Sequence, residues 1–397
     1  MTAPPKNLSI AYAIPEDIGG RRARFVQIAN TVSALAREGV RVHFLHGSGS
    51  RKGLEEAFGR CGLKLPRGVE SVPIQLLRKV PVVGLRMSWN WVAHRSILGK
   101  LLGLRESTRV DVVYVRHVKL ARFLLRFRAR LGIPLVFEAH AAAEDRDRKE
   151  VALEREVVEN VDGLVTISKA LEDCLRERYR VSAPVCVAHD GVNLGEVEPS
   201  EGVSSSPVVC YVGSFRKIKG VEVLLEAMRG LPEARLVLVG AIPGTEEAER
   251  VRGIVDNYGM SDRVDVIEHV PHREALKFLR SARVAAAPFI EDKGTVHGSP
   301  LKLFEYMAAG VPMVVTDLPS VREVVRDEET AVLVPPGDAE SLREAIRRLL
   351  SDEALSGRLR DGALRAVKEY SWEERAKRIA DFVSTQVAGR GQREADR

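Results

Sequence analysis

Short apolar runs alternate along the chain with longer stretches whose apolar positions recur every three or four residues. "LSIAYAI", "VRVHFLHG", "VDVVYVRH" and "IPLVFEAH" read as strands, and "RFVQIANTVSALAREG" reads as an amphipathic helix. That rhythm is βαβ, a parallel sheet covered by helices. It continues through "VDGLVTIS" and "APVCVAHDGVN". "LGEVEPSEGVSSSP", residues 194–207, then loses periodicity and gathers Ser, Gly, Pro and Glu, the composition of a linker. A second series follows, with "VVCYVGSF", "ARLVLVG", "RVDVIEHV", "VAAAPF", "PMVVTD" and "TAVLVPP" as strands. The pattern predicts an α/β protein of two doubly wound parallel-sheet domains, residues 1–193 and 208–370. Helices follow to residue 388 and a polar tail fills 389–397. Ligands of such sheets sit at the carboxyl ends of strands, and the cleft between the domains is the expected site.

A chain of 397 residues with 45% hydrophobic and 29% charged residues has the composition of an ordinary soluble globular protein. Its net charge of +6 suggests an anionic partner, and the excess is local. From Arg78 to Arg130 the only acids are Glu106 and Asp111. There Trp89 and Trp91 stand among Arg86, Arg95 and Lys100, ahead of "KLARFLLRFRAR". Such a basic amphipathic face suits an anionic membrane at roughly 1 kcal/mol per well-placed charge, the alternative being ordinary helix packing with solvated cations. No nucleic-acid reader motif accompanies it. Cys61, Cys174, Cys186 and Cys210 form no CxxC pair, which favours a reducing compartment. With no signal-like start and no apolar stretch near the roughly 20 residues of a membrane span, the chain reads as cytoplasmic, peripheral to a membrane at most.

Four stretches could carry chemistry. In "YVGSFRKIKG" a strand ends at Gly213, which lets backbone approach a ligand, and Arg216 and Lys219 add positive charge suited to a diphosphate; the alternative is a solvated basic loop. In "AIPEDIGGRRARF" Gly19 and Gly20 do not form GxGxxG, and the second strand lacks the acid that holds a ribose, so dinucleotide binding is disfavoured. The pair either presents amides to a substrate or only makes a tight turn. "VFEAHAAAEDR" ends a strand with Glu138 and His140; a lone histidine is more often structural, but at this position it can hydrogen-bond a substrate or its leaving oxygen. Asp145 and Asp147 match a metal-pair spacing inside a charged run that reads as a solvated face. No His/Cys cluster has ligand spacing, so no metal is expected. In "VHGSPLKLFEYMAAGVP" Ser299 suits an N-cap, Pro300 the first helical position and Gly310 the stop. Lys302 near the start and Glu305 further on oppose the macrodipole preference, worth about 0.3–1 kcal/mol per charge. Their reason must lie outside the helix.

Together "YVGSFRKIKGVEVLLEA", "LVLVG", "VPHREALKFLRSARVAAAPF" and "GSPLKLFEYMAAGVPMVVTDLPSVREVV", with the upstream "IGG", "FEAH", "VTIS" and "HDGVN", resemble the retaining glycosyltransferases of family 4 (GT4). The resemblance implies the GT-B architecture: two Rossmann-like domains facing across a cleft, a nucleotide-diphosphate sugar between them, and a last helix, within residues 371–388, crossing back to the first domain. It assigns Arg216 and Lys219 to the donor diphosphate and Glu305 to the ribose hydroxyls. His140 falls near the donor sugar, Gly20 with Gly19 in the amide-bearing loop, and Val270 where backbone meets the base. Ser299, Pro300, Leu301 and Lys302 form the helix start that offers amides to phosphate. Two positions depart from the family pattern. Ser214 stands where a basic residue often follows the loop glycine, with Arg216 as its substitute, and His297 stands eight residues before Glu305 where a first glutamate is usual. Neither His297 nor Glu138 receives a role. The resemblance implies same-face attack without metal or cofactor, the departing diphosphate helping to deprotonate the acceptor. The acceptor implied is a lipid-linked saccharide, glycolipid or polysaccharide precursor. The alternatives are a GT-B isomerase or phosphorylase acting on sugar nucleotide or sugar phosphate, and a noncatalytic saccharide-binding partner.

Overall fold

Near-continuous runs of Val, Ile, Leu and Ala pair side by side into two wholly parallel sheets, seen in a computed structural model that describes residues 8–18, 23–47, 49–76, 89–144 and 147–388. One unit is drawn from Met1–His189 and Trp372–Arg397, the other from Asp190–Ser371. The first sheet holds β1 (Ser9–Ala13), β2 (Arg41–His46), β3 (Val69–Pro73), β4 (Val112–Val115), β5 (Leu135–Ala139), β6 (Gly163–Thr166) and β7 (Val185–Val187). Its spatial order is β3-β2-β1-β4-β5-β6-β7. The second holds β8 (Val208–Val212), β9 (Arg235–Ala241), β10 (Val264–Glu268), β11 (Val284–Ala287), β12 (Met313–Thr316) and β13 (Val332–Val334), ordered β10-β9-β8-β11-β12-β13. Strand order reverses between β1 and β4 and between β8 and β11, the points where doubly wound sheets bind ligands.

Helices cover both faces of these sheets, so interior strands such as "VVYV" of β4 and "VAAA" of β11 are buried at every position. In the second unit alternate residues feed opposite cores. Val209, Tyr211, Leu236 and Leu238 pack with Leu224, Leu225 and Met228, while Cys210, Ala285 and Ala287 pack with Phe304, Met307 and Met313. β3, "VESVP", lies at an edge and buries only Val69 and Val72 fully, which is why its short, polar pattern does not stand out in the sequence. Residues 194–207 run along the second unit: Val197 is buried, and Ser200 donates from its amide to Ala309 O at 2.9 Å and from its hydroxyl to Gly310 O at 2.8 Å.

The helix Trp372–Phe382 belongs to the first unit. Trp372, Arg375, Ala376 and Ile379 form its buried stripe at helical spacing. The chain beyond it reaches β6, where a Cβ on Gly163 would stand 2.8 Å from Val387 Cγ2. All four cysteines are free.

Candidate functional site

The carboxyl end of β8, beside the reversal at β11, is built on backbone rather than side chains. Gly213 turns there with φ 145°, and Gly240 at the end of β9 has φ 123°. A Cβ on Gly240 would lie 2.4 Å from Gly213 O, so the two loops meet at a separation that only glycine permits. The chain then makes a 3₁₀ turn, Lys217–Lys219, closed by Gly220 at φ 69°. A Cβ on Gly220 would overlap Pro288 O at 1.7 Å, which shows how closely the turn is pressed onto the end of β11. Arg250 pins the loop by donating to Phe215 O at 2.7 Å and Glu222 Oε1 at 2.8 Å. Lys219 is thereby held with Nζ 5.2 Å from the Phe289 ring centroid, where burial and neighbouring Arg216 lower its pKa. Arg216 itself stays exposed at the start of the turn.

The helix Leu301–Ala309 reaches the same place from the other side of the sheet order. Pairing of β8 with β11 stops at Cys210–Ala285, and beyond it Val212 N donates instead to Tyr306 Oη at 2.9 Å, which ties the helix to the strand end. Gly310, at φ 64°, ends the helix as expected. Its start differs: Pro300 is the N-cap and has no side-chain acceptor to cap with, while the Ser299 hydroxyl accepts from Asp190 N at 2.9 Å. Pro300 has no N–H, so the first-turn amides without intrahelical acceptors are those of Leu301 and Lys302.

Lys302 bends inward. Its Nζ lies 3.7 Å from the Tyr211 ring centroid and 5.4 Å from that of Phe289, and is buried without a hydrogen-bond acceptor among the described residues. Two effects compete there. An ammonium over an aromatic face gains about 2 kcal/mol when desolvated, whereas taking an ion out of water costs several kcal/mol. Burial wins, Lys219 adds repulsion, and the Lys302 pKa is held well below the usual lysine range. Burial also pushes the Glu305 carboxyl up, against the opposing pull of His272, whose Nδ1 is 3.8 Å away, and of Lys302.

Arg216, Lys219, Gly213, Lys302 and Glu305 thus gather around the end of β8. Val270 follows β10 by two residues, and half-buried His297 caps the short helix Lys293–Val296. In the first unit, a second cluster forms where β4 and β5 end. Glu138 is buried, accepts from Tyr114 Oη and from His140 Nε2, and receives Arg375 Nη2 at 2.9 Å. Arg375 also donates to Thr31 Oγ1 at 3.1 Å. Burial alone would raise the Glu138 carboxyl, but Arg375 and His140 outweigh it and hold it well below the usual carboxylate range. An ionised Glu138 only accepts, so His140 carries its proton on Nε2, and the ring is held in one orientation with about a fifth of its side chain exposed. Glu138, given no role from sequence, is the centre of this cluster. Arg375, Tyr114, Tyr211, Phe289 and His272 were not singled out at all. Arg375 left one local sign, a charge set on the apolar stripe of its helix.

Gly19, Gly20 and Asp145 lie outside the described residues, as do residues 77–88 with Arg86. Asp147 caps the helix Arg148–Val158. Among the described residues no three His, Cys, Asp or Glu gather as metal ligands, and no helix is long and apolar enough to cross a membrane. Of the basic segment, Trp91 is exposed with Arg95 4.6 Å from its ring centroid. Lys119, Arg122, Arg126 and Lys149 line a groove of about 540 Å³ together with Asp147, Glu150, Phe123 and Leu153.

Residues 197–366 match the family model of the group 1 glycosyl transferases, and residues 26–196 that of glycosyltransferase family 4. A D-inositol 3-phosphate glycosyltransferase of Mycobacteroides abscessus is 28% identical over 285 residues, which is 66% of this chain and 62% of that relative's length. Sucrose-phosphate synthase of Thermosynechococcus elongatus superposes with a TM-score of 0.76 at 20% identity, covering 96% of this chain and all of that one. Anabaena Alr3699/HepE, solved in complex with UDP, superposes with a TM-score of 0.72 at 15% identity over the same shares. These structural likenesses are likenesses of fold, two Rossmann-like parallel-sheet domains of the GT-B type.

Proposed function

Because the chain belongs to the group 1, family 4 glycosyltransferases, we propose that it moves a hexosyl group from a nucleoside-diphosphate sugar to an acceptor hydroxyl with retention of anomeric configuration. The observation that carries this reading is the pair of lysine amines, Lys219 and Lys302, beside the bare Gly213 backbone at the β8/β11 reversal. The diphosphate sits against Lys219, Lys302, Arg216 and the first-turn amides of Leu301 and Lys302. Glu305 accepts from ribose hydroxyls, and Val270 meets the base through its backbone. The bond from the anomeric carbon to the phosphate oxygen breaks, with its electron pair going to the diphosphate. The acceptor oxygen bonds to the same face of that carbon, and its proton goes to the departing phosphate oxygen. The cations and amides stabilise the charge building on the leaving group. His140, oriented by Glu138, hydrogen-bonds the donor sugar. The HepE neighbour, solved with UDP, supports a nucleotide donor, and the relative named for inositol phosphate supports a hydroxylated acceptor carrying an anionic group.

The acceptor is a lipid-linked saccharide or glycolipid met at an anionic membrane surface, a reading supported by Arg95, Lys119, Arg122, Arg126 and Lys149. Pelleting with phosphatidylglycerol vesicles but not with phosphatidylcholine vesicles is expected; equal pelleting removes the lipid part. For the donor, a thermal-shift series with UDP-glucose and GDP-mannose is expected to show stabilisation of about 2.7 kcal/mol at 100 times the dissociation constant of the one that binds. Glu305→Gln weakens that binding roughly tenfold or more, the scale of a hydrogen bond to a charged group, and His297→Gln changes it little. Comparable losses in the two variants would remove Glu305 from the ribose. Turnover of a sugar nucleotide to a rearranged product with no acceptor present would point instead to an isomerase.

A further inference from the structure

The Lys302 amine is placed as if for an anion that the protein itself does not supply. Its Nζ is buried over Tyr211 and Phe289, lacks an acceptor among the described residues, and would stand 2.9 Å from a Cβ on Gly213. It therefore fills the space beside the Gly213 turn. The groups facing it are Cys210 and Tyr211 from β8, Lys219 from the 3₁₀ turn with Arg216 next to it, and Glu305 from its own helix, where Tyr306 turns its hydroxyl to Val212 instead. Burial pushes the Cys210 thiol up to about 12 and the Tyr211 and Tyr306 hydroxyls upward too, so none of the three is an anion near neutrality. Glu305 is the one acid in the set, and it is drawn toward His272. Lys219 and Arg216 repel a further positive charge.

We infer that Lys302 stands as a neutral amine in the free protein and takes one proton from solvent when the donor's diphosphate arrives, becoming a second buried cation beside Lys219. The inference rests on the donor-binding reading above. Without a ligand, neutrality removes both the buried unpaired charge and the repulsion from Lys219. With a ligand, two phosphate charges outweigh both penalties. The burial that pushes the Lys302 pKa down in the free protein agrees with this order of events. Proton uptake on binding also fixes the sign of the pH dependence: raising pH between the free and bound pKa values of Lys302 weakens the donor's hold.

Calorimetric titration with UDP-glucose and with GDP-mannose, whose diphosphates do not titrate near neutrality, tests this in buffers of different ionisation enthalpy. The wild-type chain is expected to take up about one proton per donor bound near pH 8, with affinity falling up to ~10-fold per pH unit. Lys302→Met abolishes the uptake, and Lys302→Arg, charged at every pH, binds without uptake and with a flat pH profile. Wild-type binding without proton uptake overturns the inference, as does uptake that persists in both variants, which would assign the proton to Lys219 or Glu305. If one variant fails to fold, the other makes the assignment, and wild-type binding without uptake overturns the inference in either case. If neither sugar nucleotide binds, the donor-binding reading itself fails, an outcome distinct from binding without a proton.

Discussion

Lys219→Ala is expected to lower glycosyl transfer by about 10²–10³-fold, a loss of about 2.7–4 kcal/mol of transition-state stabilisation. The magnitude follows from placement. Lys219 is held by a turn that Gly220 lets press against Pro288, and it sits on the Phe289 ring where water screens it poorly. Charge on the leaving diphosphate grows as the glycosidic bond breaks, so kcat falls more than the donor KM rises. Arg216→Ala serves as the contrast. Its side chain is exposed at the start of the turn, solvent screens it, and a loss of only a few-fold is expected. Steady-state transfer from the donor that gives the thermal shift checks both. A Lys219→Ala enzyme within a few-fold of wild type would remove this lysine from the leaving group, and equal losses at the two positions would mean that burial does not rank them.

The second large effect is on stability. Arg375→Met strands the Glu138 carboxylate in the interior and is expected to destabilise the first unit by about 3–5 kcal/mol, read as a lowered urea midpoint. Arg375→Met combined with Glu138→Leu recovers most of that loss, because a buried ion pair replaced by apolar groups is close to neutral in stability. The double variant still loses the anchor of His140, so its transfer activity stays low. A single variant as stable as wild type would show that Glu138 finds another cation. The pH dependence has a definite sign. Glu138 titrates lower folded than unfolded, so in acid the folded unit binds fewer protons and its stability rises with pH. The contribution is complete above about pH 5 and fades as pH falls through the folded-state value. In Arg375→Met the Glu138 carboxyl loses its strongest stabilising partner, and acid unfolding begins at higher pH.

Particular residues show how much could be read in advance. The basic turn after Gly213 was visible because a glycine at a strand end and the cations behind it are neighbours in sequence. The glutamate in "LVFEA" was visible as a charge in an apolar strand, but its meaning was not: Arg375 stands 237 residues away and reaches it from the last helix. Ser299 was misread as a cap for the same reason. Local pattern favours a serine before a helix, while its hydroxyl is taken by an amide 109 residues earlier. In Lys302 and Glu305 the reversed order of charge along the helix was legible, and it pointed outside the helix. The inward turn of Lys302 onto Tyr211 depends on how β8 and the helix pack, through Tyr306, and leaves no trace in spacing.

By itself the sequence determined the alternation of strand and helix, two doubly wound sheets and the glycine turns at strand ends. All of these follow from periodicity and backbone freedom within a few residues. Only the tertiary structure decided which charges are paired, which amine is buried without an acceptor, and which carboxylate stays ionised in the interior. Desolvation and Coulomb energy depend on what surrounds a group in space, and those neighbours come from distant parts of the chain.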